Sequence, residues 1–281
     1  MATTESTVQV DGATIEYTES GTGSPVVFVH GAYVTGALWD EVAHRLSDTH
    51  RIIVPTWPFG AQREPLREPV DLSVTAAGRR ILGLLEALDL SDVTLVTNDT
   101  GGGIVLAALG DPGIDWGRVS RLVFTNGDSY EHFPPGSFAP IVRLCRLSRS
   151  VGSVLMRLLT TPVGQKVFIS AVTRHGIDAE RRPAIFGGFL SSAAVRSQAV
   201  RFTADLRPRY TLAASRAIEE WTKPVLLAWA EADSMFPLSH ARRLADAFPN
   251  ATLESIAGAS TYVMLDRPEE TASAIRQFLG S

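Results

Sequence analysis

Short apolar runs alternate with amphipathic stretches along the first 130 residues of the chain. Two segments of alternating apolar and polar residues meet at Asp11-Gly12, a pair that is typical of a tight hairpin turn. The continuous apolar run at 26–29 fits a strand buried on both faces, whereas the apolar spacing at 74–88 predicts an amphipathic helix. Further strands are predicted at 51–54, 93–97 and 122–125, and further helices at 38–46 and 104–109. This alternation predicts an α/β protein with a mostly parallel, twisted sheet flanked by helices.

The pattern changes in the middle of the chain. From 133 to 215, several helical stretches follow one another without an obvious strand, and the strand–helix alternation resumes at 224–229. We interpret 133–215 as a helical cap inserted after the sixth strand, between two parts of the core at 1–132 and 216–281. A separate domain is the alternative, but the sheet pattern resumes in phase after the insertion.

Composition and charge exclude several classes of protein. The chain has 281 residues, with 26 Lys or Arg against 30 Asp or Glu, so it lacks the basic balance of a typical nucleic-acid binder. We therefore expect no nucleic-acid partner. Its single cysteine, Cys145, rules out an internal disulfide framework and a cysteine metal cluster, and we expect no metal site.

Targeting and cofactor signals are also missing from the sequence. The first ten residues show no basic stretch followed by an apolar run, so no signal peptide is expected. No run of about 18 apolar residues occurs, which predicts no transmembrane helix and no membrane partner. The glycines at 101–103 lack the spacing and context of a phosphate loop or dinucleotide fingerprint. We expect a cytoplasmic protein without a cofactor, and the sequence carries no signal for an oligomeric state.

A tight strand-to-helix turn is predicted at Asp99. Ligands bind parallel sheets at the carboxyl ends of the strands, and the predicted strand at 93–97 leads directly into Asp99 and a glycine run. Such a turn lifts one side chain into a site and needs small residues two places to either side. Gly101 meets that need and Thr97 nearly does. The alternative is that Asp99 only caps the following helix, since Asp is a favoured N-cap.

Several motifs resemble the α/β-hydrolase superfamily, in particular its aspartate-nucleophile branch of haloalkane dehalogenases and epoxide hydrolases. The resemblance covers essentially the whole chain. The segments that carry it are His30-Gly31, Pro55–Arg63, Asn98-Asp99-Thr100-Gly101-Gly102, Thr125–Asp128 and His132-Phe133-Pro134-Pro135. It implies an α/β-hydrolase fold in which a helical cap covers the site.

The resemblance implies that Asp99 is the nucleophile. A carboxylate that attacks a saturated carbon bearing a halide or an epoxide oxygen gives an ordinary ester, which water then cleaves. By similarity, the backbone N–H groups of Ala32 and Thr100 form the oxyanion hole that stabilises charge in the second step.

The family's acid and base positions differ in how well this chain fills them. Asp233 follows the predicted seventh strand and resembles the acid that orients a catalytic histidine, although it could instead begin the next helix. The histidine position falls on Thr261. Threonine cannot act as a base near neutral pH, so the triad is incomplete.

Among the six histidines, His132 is the best candidate for a substitute catalytic base. It follows the predicted sixth strand, at the mouth of the expected site, together with Asp128 and Glu131. The alternative is that His132 is a hinge residue that holds the entry to the cap. His30 belongs to the predicted oxyanion loop, which it is expected to brace.

Six residues are expected to line a substrate pocket. Trp57 follows the predicted fourth strand, and Tyr262 could place its hydroxyl in the space of the missing histidine; simple packing is an equal alternative for both. The expected pocket residues are His30, Tyr33, Trp57, Asn98, Thr261 and Tyr262.

Three functions compete on this sequence. The first is an enzyme that acts on a small and fairly apolar organic substrate, with Asp99 as nucleophile or general base. The family resemblance implies that this enzyme is a hydrolase. The second is acid–base catalysis without histidine, such as a cyclisation, elimination or isomerisation, because carboxyl groups that share a pocket have raised pKa values. The third is a binding protein that has lost turnover. The missing histidine motivates it, and the glycines near Asp99 and the presence of Asp233 weigh against it.

Overall fold

An eight-stranded, mostly parallel sheet organises the molecule, as the sequence predicts. The computed structural model describes residues 3–280. The strands are β1 (Thr4–Val10), β2 (Ala13–Ser20), β3 (Pro25–Val29), β4 (Arg51–Thr56), β5 (Val93–Asp99), β6 (Val119–Gly127), β7 (Val225–Ala230) and β8 (Ala251–Ile256). Their order in the sheet is β1-β2-β4-β3-β5-β6-β7-β8. The β1–β2 and β2–β4 pairs are antiparallel, and the other five pairs are parallel.

The helices lie in the connections between strands and after the last strand. A short 3-10 helix (Gly36–Trp39) precedes α1. The α-helices are α1 (Asp40–Leu46), α2 (Val74–Ala87), α3 (Thr100–Leu109), α4 (Ala139–Leu147), α5 (Arg149–Leu159), α6 (Pro162–Val172), α7 (Arg182–Ser191), α8 (Ala193–Asp205), α9 (Pro208–Ala213), α10 (Ser215–Glu220), α11 (Leu238–Ala247), α12 (Val263–Asp266) and α13 (Pro268–Leu279). No helix in the range 3–280 is both long enough and apolar enough to cross a membrane.

The first hairpin shows how local sequence determines local structure. Asp11 and Gly12 both have positive φ, 44° and 73°, which is the backbone geometry of the turn expected for an Asp-Gly pair. Val10 pairs with Ala13 across this turn. The hairpin predicted from the alternating pattern is therefore confirmed.

Strand β3 explains why a continuous apolar run marks the centre of the sheet. Val27 and Val29 belong to the core on one face, while Val26 and Phe28 belong to the core on the other. All four side chains are fully buried, and successive residues of a strand point to opposite faces. The prediction of a strand buried on both sides is confirmed.

Seven helices, α4 to α10, lie between β6 and β7, and within the described residues no strand interrupts them. The predicted boundary at residue 215 falls on the first residue of α10.

Helix α8 packs against the loops that follow β3 and β4. Its Gln198 accepts a hydrogen bond from the Leu66 N–H at 2.9 Å and donates to the Leu66 carbonyl at 2.7 Å. Thr203, also on α8, contacts Tyr33 in the loop after β3. Helix α8 therefore lies against the loops that follow the ends of β3 and β4.

A buried carboxylate joins the segment after α6 to the loop after β8. The Asp266 side chain accepts hydrogen bonds from the backbone N–H groups of Arg174, His175 and Ser260, at distances between 2.9 and 3.1 Å. Its carboxylate has no exposed surface. This arrangement holds Ser260, next to Thr261, at a fixed position relative to the helices.

Replacing Asp266 by asparagine should destabilise the protein. The amide keeps the shape but presents N–H groups to backbone donors, which loses charge-assisted hydrogen bonds and leaves buried donors unpaired. We expect a loss of about 2–4 kcal/mol in the free energy of unfolding, measured by urea denaturation.

The matched control is Glu269→Gln, because Glu269 is 75% exposed and pairs with Arg45 at 3.2 Å. We expect that variant to lose less than about 1 kcal/mol. Equal effects from the two substitutions would contradict the anchoring role of Asp266.

Candidate active site

Asp99 lies at a strained turn between β5 and α3. Its backbone has φ 54° and ψ −132°, a conformation that costs a non-glycine residue on the order of 1–3 kcal/mol. Its side chain makes no capping hydrogen bond to α3, so the structure gives no support to the helix-cap alternative. The turn directs the carboxyl group toward the loop that follows β3.

Two glycines make room for this turn. A Cβ atom on Gly31 would lie 2.2 Å from Oδ2 of Asp99, and one on Gly101 would lie 2.6 Å from the carbonyl oxygen of His30. Either side chain would force the backbone or Asp99 to move. The glycine predicted two places after Asp99 is thus required by close packing against the neighbouring strand end.

Ala32 and Thr100, whose N–H groups are expected to form an oxyanion hole, lie beside Asp99. Thr100 is the first residue of α3, and the first N–H groups of a helix have no partner within it. Ala32 is buried in the loop after β3, next to Gly31, over which the Asp99 carboxylate lies. Both residues therefore border the Asp99 carboxyl group.

Asp233 is bonded to the residue expected at the histidine position. Its Oδ2 accepts hydrogen bonds from the Thr261 hydroxyl at 3.0 Å and from the Asn126 amide at 2.9 Å. Its Oδ1 accepts from the backbone N–H groups of Met235 and Phe236. Burial nevertheless raises the pKa of Asp233 above its ordinary value, against the lowering effect of these bonds. The next helix, α11, is preceded by Pro237 as its cap, so Asp233 does not begin that helix.

Two asparagines hold the strand ends and the loop around Asp233 and Thr261 together. The Asn98 amide donates to the Thr125 hydroxyl and to the carbonyl oxygens of Asn126 and Thr261, at 2.8 to 3.0 Å. Asn126 in turn accepts from the Ala230 N–H at 2.6 Å. Asn98 was expected in the pocket, but it is fully buried and its amide is used to join β5, β6 and the Thr261 loop. Sequence reasoning missed Asn126.

Asp128, which the sequence placed only at the mouth of the expected site, lies inside it. It directly follows β6, is 2% exposed, and neither of its carboxyl oxygens has a hydrogen-bond partner within residues 3–280. Its Cβ atom lies so close to Gly103 that a Cβ there would be only 2.8 Å away. Burial first, and then the charge of Asp99, raise the pKa of Asp128 well above its ordinary value. Its position at the same sheet edge as Asp99 and Asp233 was the available signal.

The pKa of Asp99 lies near neutral pH. Burial is the main cause that raises its pKa to about 7, the charge of Asp233 adds to this, and the Thr100 N–H opposes it. Asp99 is partly exposed as a residue, whereas Asp128 and Asp233 are only 2% and 3% exposed. Of the three residues, Asp99 is therefore the most accessible.

Tyr262 and Tyr33 lie beside these carboxyl groups. The Tyr262 hydroxyl is fully buried and has no partner within the described chain. Burial and then the charges of Asp99 and Tyr33 raise its pKa. The Tyr33 hydroxyl is 2.5 Å from the hydroxyl of Thr203, so it is bonded to α8.

His30 and Trp57 brace the loops rather than offer chemistry. The His30 ring accepts a hydrogen bond from the Trp57 N–H at 2.8 Å, and its other nitrogen lies 2.8 Å from the Gly31 carbonyl. Burial lowers the pKa of His30 to about 4, so its ring is neutral at physiological pH. The Trp57 indole donates to the Phe28 carbonyl at 2.9 Å and is fully buried.

The structure does not bring His132 to this cluster. Its side chain is 40% exposed, lies 3.5 Å from Glu131, and stacks on His240 with ring centroids 4.1 Å apart. Within residues 3–280, none of its contacts joins Asp99 or Asp233. The expectation that His132 replaces the missing base is therefore not supported, because the chain turns its ring toward the surface.

A cleft of about 790 Å³ lies next to this cluster and does not include Asp99. It separates the α6 region from the loops that carry Asp233 and Thr261. Its walls include Lys166, Thr173, Arg174, Ser234, Met235 and Ser260.

Comparisons with known proteins agree with this architecture. Residues 26–274 match the sequence model of a family described as the alpha/beta hydrolase family. A relative from Shewanella oneidensis, named cis-3-alkyl-4-alkyloxetan-2-one decarboxylase, is 27% identical over 96% of this chain and 86% of its own length. Haloalkane dehalogenase 2 of Mycobacterium bovis is 24% identical over 95% of this chain and 91% of its own length.

A solved structure gives the same result for the fold. The haloalkane dehalogenase DatA of Agrobacterium tumefaciens has a TM-score of 0.82 at 17% identity, over 99% of this chain and 96% of its own. At this identity the likeness concerns the fold alone. The fold implied by the sequence motifs is therefore confirmed.

Replacing Asp99 by asparagine should stabilise the protein at alkaline pH. The folded-state pKa of Asp99 is about 7, against about 3.9 in an unfolded chain. The folded protein therefore holds more protons between these values, and its stability falls as the pH rises from about 4 to 7. We expect Asp99→Asn to raise the free energy of unfolding at about pH 8 by about 1–3 kcal/mol and to raise it less at about pH 4.

Urea denaturation at both pH values measures this effect. Asp178→Asn, at an exposed position, is the control and should change neither value. A loss of stability in Asp99→Asn that is equal at both pH values would contradict a raised pKa at Asp99.

Proposed function

The chain belongs to the alpha/beta hydrolase family, and from that premise we propose that it is an enzyme in which Asp99 reacts with a small, largely apolar organic molecule. The observation that carries the proposal is the state of Asp99. It lies at a strained turn, the residue is partly exposed, and its carboxyl group has a pKa of about 7. Proteins retain strained and destabilised groups of this kind mainly at functional sites.

The first step is an attack by ionised Asp99 on a saturated carbon. With an epoxide, a carboxylate oxygen bonds to a ring carbon, the ring C–O bond breaks, and the oxygen leaves with the electron pair. The leaving oxygen takes the proton of Asp128, whose raised pKa keeps it protonated while Asp99 is charged. The products are an ester on Asp99 and an ionised Asp128. With a haloalkane, halide leaves without a proton, so Asp128 has to release its own proton to solvent before it can act as the base of the second step.

The second step needs a base, and Asp128 supplies it in place of histidine. Esterification removes the charge of Asp99, so this cause of the raised pKa of Asp128 disappears. Ionised Asp128 takes a proton from water as the water oxygen attacks the ester carbonyl. The N–H groups of Ala32 and Thr100 stabilise the oxyanion. As the tetrahedral intermediate collapses, the second proton of the attacking water passes to the leaving alkoxide, so Asp99 is ionised and Asp128 protonated, as at the start.

Asp233 and Thr261 act by positioning in this proposal. The Thr261 hydroxyl takes the place next to Asp233 that a histidine ring would need. The interaction between the acid and a catalytic histidine is therefore replaced by a hydrogen bond from threonine to the acid. His132 has no part in it.

A second candidate function is acid–base catalysis without an enzyme-bound ester. Two observations favour it: two buried carboxyl groups, Asp99 and Asp128, whose pKa values are both raised, and the relative whose name describes a decarboxylase. In that case Asp99 removes or returns a proton, and Tyr262 is a nearby hydroxyl donor.

Intact-protein mass spectrometry distinguishes these functions. After incubation with a panel of epoxides and haloalkanes, we expect the mass of the intact protein to increase, and no increase in Asp99→Asn. Digestion of the modified protein should place the added mass on a peptide that contains Asp99. The rate of adduct formation should rise with pH and level off above about 7, because only the ionised form of Asp99 attacks. Asp178→Asn is the matched control and should behave as the unchanged protein.

The variant Asp128→Asn tests the second step. We expect its adduct to persist at least about tenfold longer than that of the unchanged protein, since general-base catalysis contributes on the order of 10²–10⁴ in rate. An adduct that forms equally in Asp99→Asn would contradict the proposal. Turnover of a substrate with no adduct in any variant would move the assignment to acid–base catalysis.

A further inference from the structure

The three helices that follow β6 expose an apolar face. Of the eight large apolar side chains that are exposed in the described residues, seven lie on α4, α5 and α6. They are between 40% and 83% exposed. The seven are Leu144, Leu147, Val151, Val154, Leu158, Val163 and Val167. Soluble monomers rarely concentrate exposed apolar side chains on neighbouring helices in this way without a binding role.

This face points away from the rest of the molecule. The opposite sides of α4 and α5 are buried through Val142, Cys145, Gly152 and Met156. A Cβ on Gly152 would lie 2.7 Å from the side chain of Val200 on α8. Helices packed this tightly cannot rotate to hide their outer face, so the exposed apolar side chains need an external partner.

The same segment is purely cationic. Between residues 133 and 177 the chain has six of its 26 Lys and Arg residues and none of its 30 Asp and Glu residues. The six are Arg143, Arg146, Arg149, Arg157, Lys166 and Arg174. All six are exposed, although Arg146 also donates to the Ala204 and Leu206 carbonyls. A chain with a net charge of −4 therefore concentrates positive charge where it exposes apolar surface.

Charge complementarity selects the partner. A second copy of the chain docked face to face would bring these cations together, and like charges that meet across an interface cost several kcal/mol. Amphipathic helices with apolar side chains bordered by Lys and Arg instead match the interface of a bilayer that contains anionic lipid. We propose that the face formed by α4, α5 and α6 docks on a membrane surface with anionic lipid.

This association differs from what the sequence alone predicts. The expectation of no membrane partner rests on the absence of a spanning segment, and a helix that lies in the plane of the interface needs no such segment. The proposal is independent of the reaction at Asp99, because it concerns only the outer surface of these helices.

Flotation of the full-length protein with lipid vesicles tests the proposal. We expect binding to phosphatidylcholine vesicles that contain roughly a third phosphatidylglycerol, much weaker binding to phosphatidylcholine alone, and release at about 1 M salt. The double variant Arg149→Glu, Arg157→Glu should weaken binding by at least about fivefold for each side chain. Leu147→Gln with Val154→Gln should also weaken it at least about tenfold, through lost apolar contact.

Matched controls lie elsewhere on the surface. Leu212 on α9 is 44% exposed and Arg79 on α2 is exposed, so Leu212→Gln and Arg79→Glu should leave vesicle binding unchanged. All the substituted positions are exposed, and the variants should keep the unfolding temperature of the unchanged protein. Three results would overturn the proposal: no binding to anionic vesicles, equal loss in the Arg79→Glu control, or a dimer in solution that Leu147→Gln dissociates.

Discussion

Three carboxyl groups in one buried site, with no cationic side chain bonded to any of them in the described chain, constrain everything else in this molecule. Burial raises the pKa values of Asp99, Asp128 and Asp233, because removing a charge from water is costly unless an opposite charge compensates it. In this site, hydrogen bonds from neutral groups and a proton kept on one carboxyl group take the compensating role that a cation would otherwise have. The site can therefore hold negative charge at only some of its carboxyl groups at neutral pH, and that limit determines the chemistry available to it.

The fold distributes this cost unevenly. Asp233 receives four hydrogen bonds, from Thr261, Asn126, Met235 and Phe236. Asp128 receives none in the described chain. A carboxyl group with no donors is best kept protonated, whereas one with several neutral donors tolerates charge. Asp99 lies between these extremes, with a pKa of about 7. In the function proposed above, this gradient determines which group attacks and which group carries the proton, and no histidine is needed.

Local sequence predicted the sheet and the turn at Asp99 well, because each depends on short patterns. The order of strands then brings Asp99 and Asp233 to one edge. The loop after β6 was predicted less well. Asp128 points into the site, and Tyr130, with φ 46°, turns the chain so that His132 faces the surface. A reversal at a single non-glycine residue has no clear sequence signal. The apolar face of α4 to α6 was also missed, since sequence spacing does not reveal which side of a helix packs against α8.

Titration of the two carboxyl groups by carbon NMR tests the central claim most directly. With aspartate labelled at the side-chain carboxyl carbon, the resonances of Asp99 and Asp128 are assigned by their absence from Asp99→Asn and Asp128→Asn. The account predicts that Asp99 titrates near pH 7, that Asp128 stays protonated through this range, and that Asp99→Asn lowers the pKa of Asp128. Two carboxyl groups that both titrate near pH 4, each unaffected by loss of the other, would contradict it.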